Sequence, residues 1–383
     1  ADLQRAVLTR ATGLVTATLT GANLTGANLT GQDLSTENLS GANLSGANLT
    51  GANLDRATLT GVRNLTSATL TGANLTGQSL SGLNLSGKNL TGANLTGVNL
   101  TGTLLTGADL REVNLTNANL TGAAMTGVRN LATATLTGTN LTGQDLSGLD
   151  LSGKDMFGAT LTNATLVGTN LTGANLYRAK APGTDLTGAT LTRALLYEAV
   201  LSGATLAGVQ GLGSADVTGV DFTGADLRGI NLVRVKLTRA NLTDANLTGA
   251  DLTDASLINT NLTNTNLTNA DLDGANLVTA RNLASATLTG ASLMFQVLAG
   301  LNLSGKDLTG TNLSYADLRG TNLGNANLTR ANLTSAAMAG ANLTGVTWLF
   351  TTCPNGSNSG ATGSCSISAT EVPPAAEASR RRG

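Results

Sequence analysis

The chain of 383 residues has no histidine, two cysteines, four prolines and an aromatic content of 2%. Each shortage removes a class of explanation. Without histidine, the usual serine or cysteine nucleophile lacks its base, and two cysteines alone make a poor metal site. Charge is scarce and balanced: 22 basic residues stand against 23 acidic ones, and the charged fraction is 12%, well under the roughly 25% of ordinary globular domains. That balance gives no reason to expect nucleic acid or another polyanion as partner. No run of eighteen apolar residues exists, so no membrane span is expected.

What is present in excess is glycine, 48 residues of it, and leucine at a fixed interval. Between Gly21 and Asp55 a leucine returns every fifth residue, at Leu24, Leu29, Leu34, Leu39, Leu44, Leu49 and Leu54, with Asn or Asp before it in most repeats and Thr-Gly or Ser-Gly commonly after. A helix repeats its apolar face at about 3.6 residues and a strand at 2, so a period of five fits neither. The chain must turn once per repeat. If the leucine is called i, glycine takes most i+2 slots, as expected for a turn that needs backbone angles closed to other residues. Length alone would allow two or three globular domains, but internal repeats take precedence over local propensity.

The unit Ala22-Asn23-Leu24-Thr25-Gly26, with its many near copies from Asp2 to about Trp348, is similar to the A(N/D)LXX motif of the pentapeptide-repeat family. The resemblance implies an all-β fold, a right-handed quadrilateral β-helix of about 17 coils and about 80 Å at the usual strand spacing. Side chains at i and i−2 would face inward and those at i−1, i+1 and i+2 outward. Leu24, Leu29, Leu44 and Leu49, with Phe222 and Trp348, are then expected in the core. The implied organisation is a repeat domain over 1–348, a cap loop over 349–365 and a flexible tail over 366–383, which has too little apolar content to fold alone.

The spacing slips from five to six at Leu8–Leu14, Leu59–Leu65, Met125–Leu131, Leu206–Leu212 and Leu277–Leu283. These are read as bulges that each absorb one residue. Three slips open a longer block: Arg63-Asn64-Leu65 followed by Gln78, Leu83 and Lys88; Arg129-Asn130-Leu131 by Gln144, Leu149 and Lys154; Arg281-Asn282-Leu283 by Gln296, Leu301 and Lys306. Those Gln, Leu and Lys residues occupy i−2, where a buried uncompensated ammonium is costly. One reading has each lysine bond backbone carbonyls, or run its stem along the core and emerge at a corner. The other is an internal pocket or anion site repeated three times. Phe157, Tyr177, Tyr197 and Tyr315 are expected to be single exposed aromatics that form no stripe.

After the last repeat, Trp348, Leu349 and Phe350 are expected to cover the open end of the coil. Cys353 and Cys365, twelve residues apart across Pro, Gly and Asn, are placed to close a loop by a disulfide, with a free-thiol reading kept beside it. The ending Thr352-Cys353-Pro354-Asn355-Gly356-Ser357-Asn358-Ser359 resembles the close of exported bacterial members of the family. An oxidised pair would place the protein outside the cytoplasm, at the cell surface or beyond it, and a chain that opens on Ala1 is compatible with a removed export signal.

Neither catalysis nor a cofactor is expected. Asp109, Asp145, Asp226 and Asp251 sit at i−1, interchangeable there with Asn, and form no acid–base couple. The leading expectation is a non-enzymatic structural or adhesive rod that assembles with itself head to tail or contacts an extended surface. The alternative is binding to ice or polysaccharide through stacked ladders of Asn23, Thr25, Asn43, Asn94, Thr96 and their equivalents. A third reading, DNA mimicry directed at a topoisomerase, needs a strongly negative surface that this composition lacks. Asn-Leu-Thr is also a glycosylation acceptor pattern, but it follows automatically from the repeat.

Overall fold

The computed structural model describes residues 1–9, 11, 14, 18–277, 279–361 and 363–365. It divides by contacts into two units, Ala1–Ala181 and Pro182–Gly383. Each is built from the same square coil. The expected tail over 366–383 lies outside the described residues.

In the first unit, one pentapeptide illustrates the coil. Leu24 O accepts from Ala27 N at 3.0 Å, closing a four-residue turn, and Gly26 supplies its positive φ of 63° without the penalty a Cβ would bring there. The next coil lies 20 residues on: Asn23 pairs in parallel with Asn43, and Asn28 with Asn48. Leu24 N donates to Asn43 O at 2.9 Å, Asn43 N to Ala22 O at 2.9 Å and Gly26 N to Ser45 O at 2.8 Å. Each side therefore forms a ladder of single bridges, and the backbone circuit closes every four repeats, right-handed.

Leu24, Leu29, Leu44 and Leu49 are fully buried, with Ala22, Ala27 and Ala47 at i−2. The small i−2 residue lets the turn approach the core, and where threonine replaces alanine its hydroxyl needs a partner. Thr103 Oγ1 donates to Leu80 O at 2.9 Å and Thr139 Oγ1 to Leu115 O at 2.8 Å. In the second unit Phe222 and Trp348 are buried as expected, and Thr260 and Thr265 repeat the same bond, to Leu237 O and Leu242 O.

The slips are not β-bulges. Four of them are single turns of 3-10 helix, Leu65–Ser67 and Leu131–Thr133 in the first unit, Leu212–Ser214 and Leu283–Ser285 in the second; the slip after Leu8 falls partly outside the described residues. The residue before each turn is left-handed, Asn64 at φ 60° and Asn282 at φ 63°, as short polar side chains tolerate. Ser67 Oγ donates to Asn64 O at 2.8 Å and accepts from Gly46 N of the preceding coil at 3.0 Å. Thr133, Ser214 and Ser285 do the same for Glu112 N, Arg193 N and Asn264 N. A hydroxyl thus stands in for the carbonyl that a regular coil offers, and the extra residue costs no ladder bond.

At the C-terminal end Trp348 is buried, but Leu349 and Phe350 are exposed and do not form the lid. The lid is the loop itself. Phe350 N donates to Gly360 O at 2.8 Å, Ser359 N to Thr351 O at 2.9 Å and Cys353 N to Ser357 O at 2.7 Å, while Thr352 pairs antiparallel with Asn358. Cys353 and Cys365 are joined as a disulfide with Cα atoms 5.4 Å apart. Among the described residues no helix is long and apolar enough to cross a membrane.

Candidate interaction surface

The outer faces are built from i−1 and i+1, and their polar atoms largely bond to one another. Thr25 Oγ1 donates to Asn23 Oδ1 at 2.7 Å, and Asn43 Nδ2 of the next coil donates to Thr25 Oγ1 at 3.0 Å. Thr96 Oγ1 likewise donates to Asn94 Oδ1 at 2.6 Å, and Asn94 Nδ2 to Thr76 Oγ1 at 3.1 Å. In the second unit the pattern runs across consecutive coils: Asn241, Asn261 and Asn282 each donate to the threonine of the coil before, Thr223, Thr243 and Thr263, at 2.8, 2.8 and 2.7 Å. The sequence alternation Asn-Leu-Thr places two polar groups on one side of a leucine that points the other way, and side-chain bonds to the chain two residues on are what Asn favours at turns. Asn23, Thr25, Asn43, Asn94 and Thr96 are half-buried, and much of their hydrogen-bonding capacity is used within the coil.

Carboxylates on these faces are tied in the same manner. The hydroxyl and backbone N–H of Ser35 hold the Asp33 carboxyl below its ordinary range, and the Asn130 amide, first among several causes, does so for Asp109. Arg228 and Arg319 grip Asp226 and Asp317 with two bonds each and lower them similarly. Asp273 is the exception: burial, first among its causes, pushes its carboxyl up although Ser292 and Met294 N donate to it. No group of three or more His, Cys, Asp or Glu side chains able to hold a metal occurs among the described residues.

The aromatics depart from the expectation that they stand alone. Phe157 and Tyr177, 20 residues and one coil apart, meet edge to face with centroids 5.3 Å apart, and the Arg178 guanidinium lies 4.8 Å from the Tyr177 ring centre. Phe295 and Tyr315 stack at 5.0 Å, each more than half exposed. This second pair sits at i+2 with φ of 62° and 58°, conformations that cost a bulky residue on the order of 1–2 kcal/mol relative to glycine. Val297, also exposed, lies beside it in sequence.

The three Gln–Leu–Lys blocks fold alike. Gln78 Nε2 donates to Leu54 O and Ala57 O at 3.0 and 2.9 Å, Gln144 to Leu120 O and Ala123 O at 2.9 and 3.1 Å, and Gln296 to Leu272 O and Ala275 O at 2.8 and 3.0 Å. Lys88, Lys154 and Lys306 each place Nζ on a carbonyl one coil back, Ala68 O, Ala134 O and Ala286 O, at 2.8, 2.9 and 2.7 Å. The lysines are half-buried rather than inward, as are Leu83, Leu149 and Leu301, and desolvation lowers all three ammonium pKa values. This is the carbonyl-bonded arrangement that the sequence allowed.

A family model described as pentapeptide repeats matches residues 14–36, 38–210 and 215–347 in abutting or overlapping segments. Among solved structures, a pentapeptide repeat protein from the Arabidopsis thaliana thylakoid lumen is 30% identical over 31% of this chain and 69% of that one, with a TM-score of 0.20. HetL, a pentapeptide repeat protein involved in heterocyst differentiation regulation in a Nostoc cyanobacterium, is 28% identical over 73% of this chain and 92% of that one, with a TM-score of 0.15. QnrB1, a plasmid-mediated fluoroquinolone resistance protein, is 20% identical over 62% of this chain and 92% of that one, with a TM-score of 0.20. No curated protein matches.

Proposed function

Because the chain belongs to the pentapeptide-repeat family, whose fold carries no reaction of its own, we propose that it is a non-catalytic structural or adhesive protein of the cell surface or extracellular space, contacting its partners through the outer faces of its coils. The observation that carries this reading is the pair of aromatic contacts, Phe157 on Tyr177 and Phe295 on Tyr315, on faces whose amides and hydroxyls are otherwise bonded to each other. Exposed rings at positions that glycine or threonine fills in most repeats suit contact with a sugar surface or a second copy of the chain. The Cys353–Cys365 disulfide supports an oxidising location.

Head-to-tail stacking is less well supported than lateral contact. Such stacking needs free strand edges, and the loop over 353–360 occupies the last coil's edge. The ice- or polysaccharide-binding ladder of Asn23, Thr25, Asn43, Asn94 and Thr96 is a second reading, favoured by the regular spacing and weakened by the bonds that tie those groups to one another. DNA mimicry, the third reading, would require a column of free carboxylates, whereas Asn predominates at i−1.

The test is co-sedimentation of the full chain with crystalline polysaccharide and with purified cell walls, alongside sedimentation velocity of the chain alone. Replacing Phe157 by Thr and Phe295 and Tyr315 by Gly restores the common residue of each position. Retention or self-association should fall severalfold in that variant while its circular dichroism stays that of the parent. Equal retention and association in the two proteins would end the proposal. Absence of thiol labelling without reductant, followed by labelling of two cysteines after reduction, checks the compartment.

A further inference from the structure

The depression in front of Lys88 has about 270 Å³ of open volume and is lined by Thr66, Thr69, Ser86, Gly87, Lys88 and Asn89. The 3-10 turn Leu65–Ser67 builds one wall and the turn before Lys88 the other. Lys88 Nζ donates one bond, to Ala68 O, which leaves two of its three protons without a protein acceptor. It makes no ion pair among the described residues. Among the described residues the hydroxyls of Thr66, Thr69 and Ser86 have no protein partner, and Asn89 accepts from Thr91 N through its oxygen, so its amide nitrogen is left to donate. A half-desolvated cation with no counter-charge is thus ringed by four uncommitted donors.

We propose that this depression binds a carboxylate or sulfate group, either as a free anion or carried on a sugar. An oxyanion there gives the Lys88 ammonium the counter-charge its surroundings lack and accepts from the hydroxyls and the Asn89 amide. The volume is near the lower end for small-molecule sites and accommodates a sugar ring bearing the acid. The two sister blocks are natural controls. Asp155 and Asp307 replace Asn89, and Ala132 and Ala284 replace Thr66, so each has a carboxylate on its rim and one hydroxyl fewer. Their lysines, bonded to Ala134 O and Ala286 O in the same way, have a carboxylate next in sequence where Lys88 has an amide, and are expected to hold an anion less well.

The chain has five lysines, at 88, 154, 180, 236 and 306, so the ε-methylene signals of a ¹³C-lysine-labelled full-length sample are separable and each is assigned by one substitution. Titration with sodium glucuronate and with sodium sulfate should shift the Lys88 signal along a saturating curve. Glucose and equimolar sodium chloride should leave it in place, and Lys154 and Lys306 should move no more than Lys180 and Lys236. Saturation with both anions supports the site for the oxyanion itself. Saturation with glucuronate alone supports a sugar-borne acid, and with sulfate alone a free anion. Asn89→Asp, which copies the rim of the sister blocks, should weaken binding roughly tenfold, the scale of one like charge beside a partly desolvated site. Parallel drift of all five signals, no saturating shift at Lys88, or undiminished binding in Asn89→Asp would each overturn the proposal.

Discussion

The block from Arg63 to Lys88 in the first unit and the block from Arg281 to Lys306 in the second share a sequence signature and nearly every backbone contact, yet their rims differ by one charge. Both open on a left-handed asparagine and a 3-10 turn, both put a glutamine on two carbonyls, and both end on a lysine bonded one coil back. Beside Lys88 stands Asn89; beside Lys306 stands Asp307. The comparison separates what the coil requires from what it leaves free. Inward positions are fixed by packing and hydrogen bonding, while i−1 accepts either an amide or a carboxylate, because each provides the oxygen that takes the N–H two residues on.

The largest expected effect tests the shared part. Leu85→Ala and Leu303→Ala each remove a fully buried side chain and should cost a similar 2–5 kcal/mol or so, read as loss of hydrogen-exchange protection in the affected and adjoining coils, since a solenoid unfolds by neighbouring repeats. A difference of several kcal/mol between them would break the equivalence. Next come the turns. Asn64→Ala and Asn282→Ala force alanine into the left-handed region at a cost of about 1–2 kcal/mol. The second should lose more, because Asn282 also bonds Thr263 and Asn261 whereas Asn64 bonds only Asn43. Ser67→Ala and Ser285→Ala leave Gly46 N and Asn264 N to solvent and should cost roughly 1 kcal/mol each.

The smallest effect sharpens the difference. Thr309, first among several donors, holds the Asp307 carboxyl below its ordinary value. A carboxylate whose folded pKa is depressed stabilises the fold above its unfolded pKa, near 4, and that contribution is lost as pH falls through the lower folded value. Asp307→Asn should therefore flatten the acid side of the thermal stability profile below about pH 4, and Asn89→Asp should steepen it. Identical acid limbs in parent and variants, followed by circular dichroism, would show that the rim carboxylate plays no part.

The square coil was legible because its causes are local. A leucine at i, a small residue at i−2 and glycine at i+2 each answer one physical demand, and Leu24, Ala22 and Gly26 meet them as the pattern requires. The slips were visible as spacing but not as conformation. Their signal was a hydroxyl three residues after the left-handed residue, Asn64 to Ser67, Asn130 to Thr133, Gly211 to Ser214 and Asn282 to Ser285, and its meaning appears only once the coil before it is in place to donate. The aromatic pairs were hidden because position within five residues says nothing about neighbours 20 residues away, although the intervals 157 to 177 and 295 to 315 equal one coil. At the open end hydrophobicity does not decide which residues cover the coil, and Leu349 and Phe350 stay exposed: an open coil edge needs hydrogen-bond partners as much as apolar cover, and the loop after Cys353 provides them.

The 3-10 turn that swallows an extra residue at Leu65–Ser67 also sets how such a gene can be edited. Since the hydroxyl of Ser67 restores the bond that the added residue would have broken, chain length and coil number are uncoupled at that corner, and the square continues downstream in phase. A short foreign peptide spliced into the sister turn Leu131–Thr133, beside Ala132, would meet solvent there instead of the leucine column and leave the depression at Lys88 intact, making that corner the natural graft point for displaying a new sequence.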